Sequence, residues 1–401
     1  MKTPDEQLPI LLRGTDNVVP PDELAERLAE GRPLRVKLGL DPTAPAVTLG
    51  WAVVLRKLRQ FQDLGHKAVL IVGDFTARVG DPSDRTAQRK QLSADEVRGY
   101  ASSVLEGFKR VLIWDDDVLE VRYNSEWLAG LDMADVLELT SKVTVAQLLE
   151  RGDFQKRFTE NQPISLMEFM YPLLQGMDSV AVDSDVELGG SDQLWNNMMG
   201  RVLQERYGKR GQMVITMPLL IGTDGEHKMS QSLGNYIAVD DDPADMFGKV
   251  MSIPDGLMAQ YFELATELPE EAIMPILDGL TDGSLHPGET KRQLGREIVG
   301  LYWGSESAAQ AEEAFDQVFK RGEAPDEIEE FILAGDDPVF LPAALRDAGV
   351  VKSSSEARRL IRQGAVKLDG ETLTEETLPR STLDGVTVQV GKRRFVRLVN
   401  R

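Results

Sequence analysis

Three short apolar runs, each closed by a turn, constrain this chain more than any other feature. Leu34 to Leu40 is bounded by Pro33 and Asp41, and Lys67-Ala-Val-Leu-Ile-Val-Gly73 ends in glycine. Gln212-Met-Val-Ile-Thr-Met-Pro-Leu-Leu-Ile-Gly222 carries a proline near its end. Continuous apolar runs of this length suit strands of a parallel sheet covered on both faces. Helical patterns stand between them. Leu49, Val53, Leu58, Phe61 and Leu64 recur at helical spacing until Gly65, with Thr48 placed to cap them. Ser93 and Glu96 have the spacing of a capping box. Met133 to Glu150 and Ser165 to Met177 read as further helices. Asp185 to Gln193 is another strand-to-loop-to-helix transition, in which Gly189 and Gly190 permit close backbone approach. Alternation of strand and helix from 34 to 222 predicts an α/β fold with a doubly wound parallel sheet.

Residues 1–33 read as a helical lead-in. After Asp240-Asp-Asp-Pro243 the strand signals cease, and 237–335 reads as a helical domain ending in the acidic stretch from Glu323. A small α+β module is expected over 339–401, with two helices and three short strands. The chain has a net charge of −21, yet 339–401 holds twelve Lys/Arg against seven Asp/Glu. Basic residues gathered at one end of an acidic chain point there for a polyanion.

Composition excludes several chemistries. With no cysteine, disulfides, thiolate metal sites and Cys nucleophiles are ruled out, and three histidines make a His-based metal centre unexpected. No apolar run is long enough to span a membrane and no apolar signal segment stands at the start, so a cytoplasmic location is expected.

Loops at the carboxyl ends of such strands are where open α/β sheets bind ligands. Here one is Asp41-Pro-Thr-Ala-Pro45, leading into the helix capped by Thr48, a geometry able to hold an anionic group although ordinary βα units share it. A second is Gly73 to Arg89, rich in Gly, Asp and Arg. A third is Gly222-Thr-Asp-Gly-Glu-His-Lys-Met-Ser-Gln-Ser-Leu-Gly-Asn235. Lys228, Ser230 and Ser232 there offer an ammonium and hydroxyls suited to charge developing on a triphosphate. Tyr171, Gln175 and Asp178 fall at i, i+4 and i+7, on one helical face. Alone the triplet fits a solvated face, but Met170, Leu173, Leu174 and Met177 around it favour burial.

Together these stretches resemble the bacterial tyrosyl-tRNA synthetases, class I aminoacyl-tRNA synthetases, over essentially the whole chain. Asp41-Pro-Thr-Ala-Pro…Thr48-Leu-Gly-Trp51 is similar to the family's HIGH region and Lys228 to Ser232 to its KMSKS loop. Gly80-Asp-Pro-Ser83, Tyr123-Asn-Ser-Glu-Trp127, Tyr171-Pro-Leu-Leu-Gln-Gly-Met-Asp178 and Gly189-Gly-Ser-Asp-Gln193 also match. The resemblance implies a Rossmann-type catalytic domain over 34–236 with an insertion at about 115–165, then an anticodon-binding helical domain. It implies activation of L-tyrosine by ATP, with nucleotide-bound Mg²⁺ and no protein metal site, then transfer to tRNA(Tyr) by a homodimer whose interface falls in 133–158.

By that resemblance Asp178 accepts the substrate phenol, and Tyr171, Gln175 and Asp81 surround its ammonium. Lys37, Gly39 and Gln193 complete the tyrosine site, with Asn124 at its edge. Asp41, Thr43, Gly50, Gly189, Gly190, Asp192, Lys228, Ser230 and Gln231 are implied for ATP. Thr48, Lys228, Arg85 and Arg89 are implied for catalysis. Arg358, Arg359 and Arg362, with Lys392, Arg393 and Arg394, resemble the basic face of an S4-type RNA-binding domain. The chain departs from the family at Thr48 and Trp51, where histidines are usual, at Gln231 for the second KMSKS lysine, at Asp84 for glycine and at Met167 for histidine. An alternative is therefore a weakened paralogue that binds tyrosine or tRNA without efficient adenylation, or that passes tyrosine to another acceptor.

Overall fold

The computed structural model describes residues 2–81, 92–317, 328–333, 337–391 and 394–400. It forms two compact units, one of Met1–Asp242 with Lys249–Tyr302 and one of Pro243–Gly248 with Trp303–Arg401.

The first unit opens with helix α1 (Pro4–Leu12), strand β1 (Asn17–Val19) and helix α2 (Glu23–Ala29). The lead-in is therefore not wholly helical. β1 runs antiparallel to the last strand of the sheet, with Asn17 opposite Thr216 and Val19 opposite Val214. Its three half-buried residues stop at Pro20, so neither an apolar run nor alternation marks it in the sequence.

Next come β2 (Arg35–Leu40), α3 (Leu49–Asp63), β3 (Lys67–Val72), α4 (Ala94–Phe108), β4 (Leu119–Tyr123) and α5 (Ser125–Leu128). An insertion of α6 (Met133–Ser141), α7 (Val145–Leu148) and α8 (Gly152–Thr159) follows. The single helix expected over 133–150 is two, because Thr144 starts a new one. Its hydroxyl accepts the Gln147 N–H, and the Gln147 side chain accepts the Thr144 N–H. The unit continues through α9 (Leu166–Val182), β5 (Val186–Gly190), α10 (Leu194–Arg206) and β6 (Met213–Met217).

The strand order is β1-β6-β5-β2-β3-β4, parallel throughout except for β1. The apolar runs are explained by burial: Val36, Ala68, Val69, Leu70, Val72, Val186, Val214 and Ile215 have no exposed surface. The order reverses between β2 and β5, so the loops after Leu40 and Gly190 flank the switch point where such sheets bind ligands.

Helices α11 (Pro243–Ser252), α12 (Met258–Ala265), α13 (Glu270–Asp282), α14 (Pro287–Trp303) and α15 (Ser305–Asp316) follow. α12 and α13 belong to the first unit, as does all of α14 but its last residue. The helical stretch 237–335 is thus not one compact body.

In the second unit, β7 (Glu330–Ile332) and β8 (Val339–Phe340) precede α16 (Leu341–Asp347) and α17 (Ser354–Arg362). β9 (Val366–Leu368), β10 (Glu371–Thr372), β11 (Thr377–Leu378), β12 (Thr387–Val390) and β13 (Arg394–Val399) complete it. A five-stranded sheet has the order β10-β9-β12-β13-β7. β7, ahead of position 339, pairs in parallel with β13, and Leu333 is buried in the same core as Leu341, Ile361, Val388 and Leu398.

Candidate active site

Helix α9 carries the predicted triplet, and its local sequence sets its position. Ser165 caps it with Glu168 in a capping box, and Leu173, Leu174 and Val180 pack against Met199 and Leu203 of α10. That packing faces Tyr171, Gln175 and Asp178 toward the carboxyl ends of β2 and β5. Asp178 is buried, 3 % exposed. The Trp127 indole N–H donates to its Oδ1 at 2.9 Å and the Asn124 amide to its Oδ2 at 3.4 Å. Burial pushes its carboxyl up to about 7, against the opposing pull of the Lys37 ammonium and the Trp127 and Asn124 donors. A carboxylate has about four acceptor positions, so these two donors leave room for a substrate hydroxyl. A carboxyl raised this way adds most to stability below about pH 4, and that contribution is lost as pH rises through about 7.

Tyr171 is buried and donates its hydroxyl proton to Asp41 Oδ2 at 2.9 Å. Burial, then the nearby Asp41 carboxylate, holds its phenol well above the ordinary range, so Tyr171 stays a donor. The Thr76 hydroxyl donates to Asp41 Oδ1 at 2.7 Å, and the Asn124 amide donates to Thr76 Oγ1 at 2.9 Å. Tyr171, Asp41, Thr76, Asn124 and Asp178 thus form one chain of hydrogen bonds. Gly73 makes it possible: a Cβ there would lie 2.0 Å from Asp41 Oδ1 and 2.4 Å from Thr76 Oγ1.

Lys37 lies beneath this network, without exposed surface. Its ammonium donates to the Gln175 carbonyl at 3.2 Å, Ser179 Oγ at 2.8 Å and Glu187 Oε1 at 2.9 Å. Those three bonds use its three protons and tie β2 to α9 and β5. The Gln175 amide donates to Asn197 Oδ1 at 3.0 Å and Glu187 Oε1 at 3.3 Å. Gly39, two residues along β2 on the Lys37 face, has no heavy atom of the described residues, its chain neighbours aside, within 4 Å of where a Cβ would stand.

On the other side of the switch point, Thr48 caps α3, its Oγ1 accepting the Trp51 N–H at 3.3 Å. It is buried, and among the described residues its hydroxyl donates no hydrogen bond. Trp51 packs on Phe108, with ring centroids 6.3 Å apart. Lys228 makes a 2.9 Å ion pair with Asp192, joining two residues expected at the nucleotide. The Gln193 amide donates to Asp81 Oδ2 at 2.9 Å. Gly50 lies against Met229, whose sulfur accepts the Gly50 N–H at 3.3 Å. Ser230 Oγ is 2.8 Å from Ser232 Oγ. Thr43 stands in the turn after Asp41, its N–H donating to the Asp41 carbonyl at 2.9 Å. Gly190 follows Gly189 at the end of β5. Arg85, Arg89, Lys392 and Arg393 lie outside the described residues.

The tRNA synthetases class I (W and Y) family matches residues 29–320, the span that carries all of this geometry. The chain belongs to this family. A tyrosine–tRNA ligase of Moorella thermoacetica is 50 % identical over 98 % of this chain and 95 % of its own length. One of Carboxydothermus hydrogenoformans is 50 % identical over 98 % and 97 %. The fold resembles that of Archaeoglobus fulgidus tyrosyl-tRNA synthetase solved with L-tyrosine, with a TM-score of 0.62 at 21 % identity over 77 % of this chain and 99 % of that one. These relatives place the chain in the tyrosine branch of the class I synthetases.

The second unit of this synthetase includes an S4 domain match at residues 341–378. In α17, Ala357 and Ile361 are buried, which leaves Arg358, Arg359 and Arg362 on the exposed side. Arg358 pairs with Glu376 at 3.0 Å and lies 5.1 Å over the Phe340 ring, while Arg362 is 3.8 Å from Glu376. Arg394, at the start of β13, is 3.5 Å from Glu356.

Thr76, Trp127, Glu187 and Arg151 join the synthetase site without having been singled out by the sequence. Arg151 is buried, donates to Asn196 Oδ1 at 3.1 Å and lies 3.9 Å from Asp81. Glu187 does carry a signal: a carboxylate inside an apolar strand needs a buried cation, and Lys37 is the matching oddity in β2.

Proposed function

We propose that this chain is a tyrosine–tRNA ligase. The tyrosine carboxylate attacks the α-phosphorus of ATP, forming the acyl phosphate of tyrosyl-adenylate and releasing pyrophosphate. A hydroxyl of the terminal ribose of tRNA(Tyr) then attacks the tyrosyl carbonyl, and AMP leaves. The observation that carries the reading is buried Asp178, to which Trp127 and Asn124 donate two hydrogen bonds out of about four that a carboxylate can accept. A phenol is the substrate group such a carboxylate selects.

Asp178 accepts the phenol, while Tyr171, Gln175, Asp81 and Gln193 orient the other end of the amino acid. Gly189, Gly190, Gly50, Asp41, Thr43 and Asp192 line the nucleotide. Lys228, Ser230 and the Thr48 hydroxyl meet its phosphates, and Arg85 and Arg89 add charge. Mg²⁺ arrives on the triphosphate as its counter-ion. The chain works in the cytoplasm, and among the described residues no helix is long and apolar enough to cross a membrane.

The basic side of α17 binds tRNA phosphates through Arg358, Arg359, Arg362, Lys392, Arg393 and Arg394. Deleting 339–401 would strand Leu333 and β7, so charge reversal is the cleaner test. Arg359→Glu with Arg362→Glu is expected to weaken tRNA(Tyr) binding about tenfold or more. Its salt dependence should flatten by about one unit for each phosphate no longer neutralised. Tyrosyl-adenylate formation stays at the parent rate. Unchanged tRNA affinity in filter binding at low salt would refute this assignment.

The insertion supports a homodimer. Met133, Leu137, Val145, Phe158 and Leu166 are all exposed apolar side chains, at 62–80 % exposure, clustered within the expected 133–158 interface and just beyond it. Sedimentation at micromolar concentration is expected to give twice the chain mass, falling toward one chain in Phe158→Glu. A parent protein that sediments as a monomer would contradict this.

A further inference from the structure

The loop carrying Lys228 is tied to the turn before α3 by a pair of contacts that a lysine at position 231 could not make together. The Gln231 carboxamide lies alongside the Ala46 peptide groups. Its Oε1 accepts the Ala46 N–H at 3.1 Å, and its Nε2 donates to the Ala46 carbonyl at 2.7 Å. The backbone partners fix which end of the amide is which, since one must accept and the other donate. Two residues back, Met229 lies on Gly50, and its N–H donates to the Leu220 carbonyl at 2.8 Å.

The loop is braced from within. Asn235 is buried; its Oδ1 accepts the Ser230 N–H at 2.9 Å, and its amide donates to Asp224 Oδ2 at 3.0 Å and the Lys228 carbonyl at 3.2 Å. Beyond it the chain runs beside the start of α3, with Leu49 N–H on the Ile237 carbonyl and Val239 N–H on the Val47 carbonyl, each at 2.8 Å. Gln231 therefore closes the open side of a loop whose other side is already anchored.

We propose that Gln231 is a positioning residue, whose paired hydrogen bonds to Ala46 latch the 222–235 loop onto the Asp41–Thr48 turn. Lys228 is thereby held at the nucleotide's phosphates, and position 231 contributes geometry where a lysine would contribute charge. A lysine there can donate to the Ala46 carbonyl, but it leaves the Ala46 N–H without its acceptor. The inference rests on the reading that this chain activates an amino acid with ATP.

The test compares Gln231→Leu and Gln231→Lys with the parent in the full chain. Amide hydrogen exchange over 44–50 and 224–235 is measured without nucleotide, together with tyrosine-dependent pyrophosphate exchange and tyrosine binding. Two net hydrogen bonds correspond to about a tenfold change or more, so both variants are expected to exchange loop amides at least about tenfold faster. Both are expected to lose about tenfold in pyrophosphate exchange, with tyrosine affinity within about twofold of the parent. Loop exchange at the parent rate in Gln231→Leu would overturn the latch. So would a rise in pyrophosphate exchange in Gln231→Lys, which would make the position one of missing charge. If the parent itself catalyses no pyrophosphate exchange, the enzyme reading fails. The loop amides then decide the latch separately: faster exchange upholds it and unchanged exchange refutes it.

Discussion

Asp178→Asn is expected to remove most of the discrimination between tyrosine and phenylalanine. A site built to hydrogen-bond a substrate hydroxyl rejects the analogue lacking it by about 10⁴–10⁵, a magnitude established on tyrosine-activating synthetases themselves. The physical basis here is specific. Asp178 is buried, and Trp127 and Asn124 leave it with acceptor capacity unused. Phenylalanine would seal that capacity away from water with nothing to fill it, at a cost of several kcal/mol for a charged group. An asparagine keeps the shape, but it halves the acceptors and sets an N–H₂ against the indole or the phenol. The specificity ratio, kcat/KM for tyrosine over phenylalanine, should fall by about 10³ or more, mostly through loss for tyrosine.

The same group gives a pH signature. With its carboxyl held near 7, Asp178 loses its proton as pH rises through that value, and the ionised form is the better acceptor for a phenol. Tyrosine binding should therefore tighten as pH rises, by up to about tenfold per pH unit below 7, and level off above it. In Asp178→Asn this dependence should disappear. Titration calorimetry across the range checks it, and a flat profile in the parent would mean that Asp178 is not the acceptor.

Lys228→Ala is expected to lower tyrosine-dependent pyrophosphate exchange by about 10²–10³, the usual loss of one transition-state donor, worth roughly 2.7–4 kcal/mol. Thr48 and Trp51 bring no imidazole and Gln231 no charge, so Lys228 is expected to bear a large share of the compensation. Removing it also leaves Asp192 without its 2.9 Å partner. Tyrosine binding should stay within about twofold, because Lys228 is not part of the Asp178 network. A loss of less than about threefold would shift the catalytic burden to Arg85 and Arg89.

Much of the fold and of the site is legible in the residues alone. The β2-turn-α3 unit, the cap at Thr48 and the shared face of Tyr171, Gln175 and Asp178 are local features, set by spacing and turn chemistry. What stays hidden depends on distant pairing. Lys37 meets Glu187 across a strand pair 150 residues apart in sequence, a buried ion pair that spacing along the chain does not show. Gln231 meets a backbone, and a backbone partner leaves no mark on residue identity. β1 is too short to show a period. The basic side of α17 is visible as a cluster of arginines, but Glu376, which pairs with two of them, lies well outside that helix.

The departures in the HIGH region look different beside their neighbours. Thr48 keeps the helix cap and a hydroxyl, and Trp51 packs on Phe108. Neither breaks the fold of the turn and helix start around them.

The central claim is that this chain still activates tyrosine. Its most direct measurement is exchange of labelled pyrophosphate into ATP by the purified full-length chain, with and without tyrosine. Exchange is expected to require tyrosine, and phenylalanine is expected not to support it. A folded protein that binds tyrosine but catalyses no exchange would contradict it.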